Sequence, residues 1–275
     1  MSTLPALALN DGHTIPAIGF GTWPLNDTDA CAAVGTALDA GYRLIDTATM
    51  YKNETGVGRA IRESAVARED IFLTTKLAGV DHGYEQTLRA FDASVARLGF
   101  DQVDLYLIHW PLPQQDRYVG AWRAMIELQR DARVKSIGVS NFQPAHIDRL
   151  IEETGVVPAV NQIELHPDFA QVELRRYHAA KQIVTESWSP LGRGNLFDDA
   201  RLLAIAKKHG VTAAQVALRW HVQLGLVPIP KSKSSTRIAQ NLDLSGFSLD
   251  TDDLTTLAAL DGDNRQGGHP DTHTE

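Results

Sequence analysis

A (β/α)₈ barrel, preceded by a short hairpin and followed by extra helices near the C-terminus, is the α/β fold this sequence predicts. Three observations carry that expectation. Strand-like and helix-like runs alternate eight times along 275 residues, with no Pro- or Ser-rich linker between them. Glycines stand where helices should stop, at Gly41, Gly99, Gly155 and Gly210. Polar side chains close several otherwise apolar strand runs, which is where such a barrel gathers its chemistry.

In chain order, residues 1–15 come first. Leu7-Ala8-Leu9-Asn10-Asp11-Gly12-His13-Thr14-Ile15 sets Asp-Gly between short alternating segments, the turn chemistry of a tight hairpin. Barrel strands are then expected over residues 17–21, 43–47, 71–76, 103–109, 134–140, 159–164, 183–188 and 226–229. The second is apolar up to Asp46, and Tyr51 follows five residues later. The third ends in Lys76, the fourth in His109 with Trp110 beyond it, and the later ones in or near Ser140, Gln162, Glu164 and Trp188. Between strands, apolar residues recur at helical spacing, as in Leu88, Phe91, Val95 and Leu98, or Val216, Leu218, Trp220 and Leu224. Residues 262–275, polar and containing Gly267-Gly268, are expected to form a mobile loop over the barrel mouth that helps select the ligand. The whole of 1–275 reads as one domain.

Composition narrows the partners. A net charge of −8, with no run of basic residues, argues against a nucleic acid or a membrane surface and for a small molecule. Cys31 is the only cysteine, so neither an internal disulfide nor a thiolate-rich metal site can form, as expected in the cytoplasm. The ten histidines show no His-Glu-x-x-His, and no metal is expected. The start of the chain lacks the basic and apolar stretches of a signal peptide, and no eighteen apolar residues run together, which predicts a soluble protein.

Polar groups at the ends of buried parallel strands are costly unless paired, so Asp46, Lys76 and His109 at three successive strand ends point to a site. Taken singly, Asp46 and Lys76 read as a structural ion pair, His109 as a core histidine and Tyr51 as a packing residue. Taken together they suit one reaction. A tyrosine hydroxyl titrates near 10, and a neighbouring ammonium lowers that value by stabilising tyrosinate. Lys76 would supply the ammonium, Asp46 would orient it, and His109 would hydrogen-bond a substrate oxygen while Tyr51 protonates it. This is carbonyl reduction, and the hydride it needs implies a nicotinamide cofactor. No Gly-x-Gly-x-x-Gly follows a strand, so a Rossmann site is not expected. The phosphate site of a barrel, after its seventh and eighth strands, is the alternative. There the chain reads Pro228-Ile229-Pro230-Lys231-Ser232-Lys233-Ser234-Ser235-Thr236-Arg237, whose bland reading is a solvated helix start capped by Ser235 or Thr236.

These residues make the chain resemble the aldo-keto reductases, and within them the bacterial 2,5-diketo-D-gluconic acid reductase-like group. The likeness spans essentially the whole chain and is carried by ordered motifs. They are Gly19-Phe20-Gly21-Thr22-Trp23, Asp46-Thr47-Ala48 with Tyr51 and Asn53-Glu54, Lys76, His109-Trp110-Pro111, Gly138-Val139-Ser140-Asn141-Phe142, Asn161-Gln162 with His166-Pro167, Ser187-Trp188-Ser189-Pro190-Leu191 and Ile229-Pro230-Lys231-Ser232. The closing Pro270-Asp271-Thr272-His273 is also similar to the tail of that group.

The resemblance implies an NADPH-dependent reductase with Tyr51 as proton donor, Lys76 and Asp46 as its tuners, and His109 orienting the carbonyl. It implies that Ser140, Asn141 and Gln162 hold the nicotinamide carboxamide, that Trp188 stacks on the ring, and that Ser189 and Leu191 lie along the pyrophosphate. Gly21 and Thr22 belong to the same cofactor site. Lys231, Ser232 and Arg237 would grip the 2′-phosphate, with Gln240 and Asn241 near the adenine. Trp23, Met50, His109 and Trp110 would line the substrate pocket, for which 2,5-diketo-D-gluconate, methylglyoxal and other small aldehydes or dicarbonyls are candidates. It also leans toward a monomer. Two departures stand out: Gln240 where relatives often carry Glu, and Lys233 where many have an apolar residue. The segment from Gly192 to Asp199 is short, which predicts rapid cofactor exchange. A non-catalytic NADPH sensor and a barrel glycosidase using Glu164 and Glu186 are the alternatives, the latter weakened because no second strand-end acid is expected to face Glu186.

Overall fold

Residues 4–274 are described in the structure, a computed structural model. Residues 1–3 of the expected hairpin region and residue 275 of the expected C-terminal loop therefore lie outside the described residues. Strands β1 (Leu7–Ala8) and β2 (Thr14–Ile15) form the antiparallel hairpin. Gly12 takes φ +89° in its turn, a conformation suited to glycine.

Eight parallel strands follow: β3 (Phe20–Gly21), β4 (Leu44–Asp46), β5 (Phe72–Leu77), β6 (Val103–Ile108), β7 (Val134–Ser140), β8 (Val160–Glu164), β9 (Val184–Trp188) and β10 (Val227–Pro228). They lie side by side in sequence order, each paired with its neighbour in parallel. Backbone bonds from Gly19 N to Pro228 O and from Gly21 N to Pro230 O, both 3.0 Å, join the first strand region to the last and close the barrel. Each expected strand is present. The outer two are the most shortened, to two residues each, because Pro228 and Pro230 cannot donate to a ladder.

Helices α1 (Asp27–Ala40), α2 (Glu54–Glu63), α3 (Tyr84–Leu98), α4 (Tyr118–Arg130), α5 (Pro144–Thr154), α6 (Val172–Ala180), α7 (Ala200–His209), α8 (Ala213–Gln223) and α9 (Ser235–Leu242) surround the sheet, and α10 (Thr251–Ala258) follows. Gly41, Gly99, Gly155 and Gly210 each end a helix with positive φ, as the sequence predicts. Two apolar layers result. One lies between strands and helices, with Phe20, Ile45, Leu73, Tyr106, Ile108 and Val139 packed against Trp122, Phe91 and Ile147. The other fills the barrel, where Leu44, Leu105, Leu107, Val160 and Val227 meet Leu9 and Ile15 of the hairpin region, which therefore plugs the floor. With the floor closed, ligand access is left to the carboxyl ends of the strands.

Candidate active site

Strand alternation places the site. On β4, Leu44 faces the barrel interior and Ile45 the helices, so Asp46 returns inward. On β6, Leu105 and Leu107 are interior, which puts His109 in phase with them just past the strand end. Val160 on β8 and Val184 on β9 set the same phase for Gln162 and Glu164, and for Glu186 and Trp188. The register pairs Ser140 with Gln162, Gln162 with Glu186, and Glu164 with Trp188. A polar layer thus sits directly on the apolar filling.

Lys76 lies at its centre with no exposed surface. Its ammonium donates to Asp46 Oδ1 at 2.6 Å, the Thr47 carbonyl at 3.0 Å and the Tyr51 hydroxyl at 3.3 Å, so all three protons are used. Burial works against its charge, yet Asp46, Tyr51 and Glu186 outweigh burial and hold its pKa above the ordinary value. Tyr51 is delivered by a single 3₁₀ turn, Thr49–Tyr51, and its ring meets the His109 ring edge-on at 5.6 Å. The four predicted catalytic side chains are therefore brought together, with Tyr51 and His109 only half-buried at the mouth and Asp46 and Lys76 beneath.

Beside them Asn141 occupies φ +63°, a left-handed conformation that asparagine tolerates better than most residues. Its amide nitrogen donates to the His109 carbonyl at 3.0 Å and to Ser140 Oγ at 3.1 Å, and its oxygen accepts from the Trp188 indole at 2.8 Å. Ser140 Oγ donates to the Gln162 carbonyl at 2.8 Å. The Gln162 amide nitrogen reaches both Asp46 Oδ2 and Glu186 Oε2, each at 2.8 Å, while its oxygen accepts no hydrogen bond among the described residues. Trp188, half-exposed, has its indole plane fixed by Asn141. Thr22 is buried, and its hydroxyl and amide both donate to the Asp46 carbonyl. A side chain at Gly21 would begin 3.0 Å from the Ile229 carbonyl, so glycine keeps β3 and the segment after β10 in close approach.

The second group of predicted residues lies after β10. Lys231 and Arg237 are exposed, Ser232 is buried, and Ser232 Oγ accepts from Ser234 N at 3.1 Å and Arg237 Nε at 3.4 Å. The cap of α9 is Ser234, whose side chain accepts from Arg237 N, and not Ser235 or Thr236: the extended backbone needed at a cap falls one residue earlier than expected. Lys233 is tied to Asp29 at 2.5 Å. Gln240 is exposed and Asn241 buried on the same helix, while Ser189 (φ +48°) and half-buried Leu191 follow β9. Trp23 and Met50 are exposed at the mouth and Trp110 is buried.

Three arrangements differ from expectation. Glu186 does face a second strand-end acid, since Asp46 shares the Gln162 amide with it; parallel register, invisible in local sequence, makes them neighbours. His166, given no role in the sequence beyond its place in the His166-Pro167 motif, bridges Glu164 at 3.2 Å and Asp168 at 2.5 Å. His178 and His221 are buried, and desolvation pulls their pKa values down to about 3 and about 4. The C-terminal stretch is bonded down. Gln266 N and Gly267 N donate to Glu164, Gln266 Nε2 to the Gly192 carbonyl, Gln114 Nε2 to the Asp271 carbonyl, and His273 stacks on Trp110 at 3.9 Å. Sequence reasoning missed Thr47, His273 and the Glu164–His166 pair. Only Glu164 carried a signal, its inward phase on β8. No group of three or more acids, histidines or cysteines suited to a metal ion occurs among the described residues, and no helix there is long and apolar enough to cross a membrane.

Comparison with known proteins gives this geometry a context. A sequence model described as the aldo/keto reductase family matches residues 17–261. An aldo-keto reductase of Mycolicibacterium smegmatis is 54% identical over 268 residues, covering 98% of each chain. The methylglyoxal reductase DkgA of Escherichia coli K12 is 47% identical over 273 residues, again 98% of each. Among solved structures, a mutant of Gox0644 in complex with NADPH superposes with a TM-score of 0.96 at 48% identity, over 100% of both chains.

Proposed function

The chain belongs to the aldo/keto reductase family, NADP-dependent oxidoreductases, and we propose that it reduces small aldehydes and dicarbonyls to alcohols with Tyr51 as the proton donor. One observation carries this reading: a fully buried ammonium, Lys76, joins the Tyr51 hydroxyl to the Asp46 carboxylate at the mouth of the barrel. NADPH supplies the hydride when bound.

The residues fit that cofactor. The side-chain carbonyl of Gln162, which accepts no hydrogen bond among the described residues, suits a carboxamide N–H. The Trp188 indole, its plane held by Asn141, offers a face for a flat ring. Ser189 and Leu191, with Gly21 and Thr22 opposite, would flank the pyrophosphate. Lys231, Ser232 and Arg237 combine two cations with hydroxyl and amide donors, a set suited to a 2′-phosphate, and Asn241 with Gln240 lies on the helix beyond for the adenine.

In the reaction the Tyr51 hydroxyl passes its proton to the carbonyl oxygen as negative charge gathers there. Lys76 stabilises the tyrosinate left behind, and Asp46 with the Thr47 carbonyl fixes the ammonium so that it need not reorganise. His109 holds the same oxygen from the other side. Trp23, Met50 and Trp110 would border the substrate, with His273 against Trp110. The glycosidase alternative fails on access: Glu186 has no exposed surface, and Glu164 is committed to His166 and two backbone amides. We expect the whole chain to act as one domain, as a monomer in the cytoplasm.

The test is loss of NADPH absorbance with a panel of small carbonyls, including methylglyoxal, the substrate in the name of the DkgA relative, and 2,5-diketo-D-gluconate, run beside NADH. Consumption with NADPH preferred supports the reading. Binding of NADPH without turnover of any carbonyl would make the chain a nucleotide sensor.

A further inference from the structure

Two ionisable groups of the polar layer have no part in the reaction above, and of these Glu164 is committed to His166 and two backbone amides while Glu186 is not. The Glu186 side chain has no exposed surface. One oxygen, Oε2, accepts from the Gln162 amide at 2.8 Å, and the other, Oε1, has no partner. The remaining proton of the same Gln162 nitrogen goes to Asp46 Oδ2 at 2.8 Å. A buried carboxyl with an unmet oxygen is costly for folding. Its only bond acts on Gln162.

That bond settles which way the Gln162 amide faces. A terminal amide can rotate to exchange its nitrogen and oxygen, and with one acid below it the two settings would differ by a single hydrogen bond. With Asp46 and Glu186 on the same side, both N–H groups are used, and the flipped setting would lose both bonds and aim a carbonyl at the Asp46 carboxylate. Burial first, and then the charge of Asp46, push the Glu186 pKa up to about 8, while Gln162 and Lys76 oppose them. As a neutral acid Glu186 still accepts from Gln162 through Oε2.

We propose that Glu186 is a positioning residue for hydride transfer: by engaging the Gln162 side-chain nitrogen together with Asp46, it keeps the Gln162 side-chain carbonyl free to accept from the nicotinamide carboxamide. This rests on the reading of Gln162 as a carboxamide contact. Glu186 touches neither cofactor nor substrate and acts through Gln162.

The experiment is a cycle of Glu186→Met, Gln162→Ala and the double variant, with Glu186→Gln alongside. Methionine fills the volume without offering a carboxyl, and removing a desolvated acid in favour of an apolar side chain is well tolerated by folds. The readout is the dissociation constant of NADPH from tryptophan quenching, compared with that of 2′,5′-ADP, which lacks the nicotinamide. Glu186→Met should weaken NADPH by about three- to tenfold, the scale of one hydrogen bond, and leave 2′,5′-ADP unchanged. Glu186→Gln, which keeps a carbonyl acceptor, should restore NADPH affinity, and Glu186→Met should add nothing in the Gln162→Ala background. Unchanged NADPH affinity in Glu186→Met, with a loss in Gln162→Ala, overturns the proposal and leaves the Gln162 reading standing. An additive double variant also overturns it. Unchanged affinity in Gln162→Ala removes the reading of Gln162 and the proposal with it. If Glu186→Met does not fold, Glu186→Ala takes its place in the same cycle.

Discussion

The two ends of the proposed ligand site are built in opposite ways. At the catalytic end, Lys76 is fully buried and spends its three protons on Asp46, Thr47 and Tyr51. At the phosphate end, Lys231 is exposed and makes no hydrogen bond or ion pair among the described residues, while Arg237 has a single 3.4 Å side-chain bond to Ser232. The first is organised before any ligand arrives, as stabilisation of a developing charge requires. The second keeps its donors free for a ligand to organise, so it should govern affinity and cofactor choice but not the chemical step.

The sharpest way to break this comparison is Tyr51→Phe. Losing the proton donor should cost about 10²- to 10⁴-fold in kcat, while NADPH still quenches tryptophan fluorescence with near-native affinity. Near-normal turnover would remove Tyr51 from its role and with it the functional meaning of the buried ammonium.

Next comes stability. Lys76→Met strands Asp46 and leaves it buried without its cation, so urea unfolding should report a loss of about 3–5 kcal/mol as well as a loss of turnover. Lys231→Ala removes an exposed, unpaired cation and should leave the unfolding midpoint unchanged. Equal effects of the two would erase the contrast between the ends.

Arg237→Ala probes the phosphate end. It should raise the KM for NADPH by roughly tenfold or more, leave NADH nearly unaffected, and change kcat little. The wild-type preference for NADPH over NADH should also shrink as salt is added, since both cations are in solvent. A variant that keeps full NADPH preference would move the 2′-phosphate elsewhere.

The two ends also differ in how far they can be read from sequence. Asp46, Lys76 and His109 announce themselves because each interrupts an apolar strand at the period-two phase of its own segment. The eight strands and the glycine caps are legible for the same local reason. The partnership of Glu186 with Gln162 is not, because it depends on the register of β8 against β9 and on a carboxylate 116 residues from Gln162. The clasp of Glu164 on Gln266 and Gly267 spans 102 and 103 residues and leaves no periodic trace. Local cues find the strand-end groups, and only the closed barrel shows what they hold.

The last effect concerns pH, and it too should separate the two ends. The groups facing Glu186 are Asp46, Lys76 and Gln162, and its pKa rises from an unfolded value near 4.5 to about 8. Between those values the folded chain keeps a proton on Glu186 that the unfolded chain has released. The folded state binds more protons there, so this group makes stability fall as pH rises from about 4.5 to 8 and contributes no further change above that. Glu186→Gln deletes the titration while keeping the acceptor. Its melting temperature relative to wild type should therefore climb steadily from pH 5 to about pH 8 and level off above that. Lys231→Ala, at the other end of the site, should show no such trend. A flat difference for Glu186→Gln would mean that the carboxyl stays charged in the barrel, with Lys76 compensating Asp46 and Glu186 together.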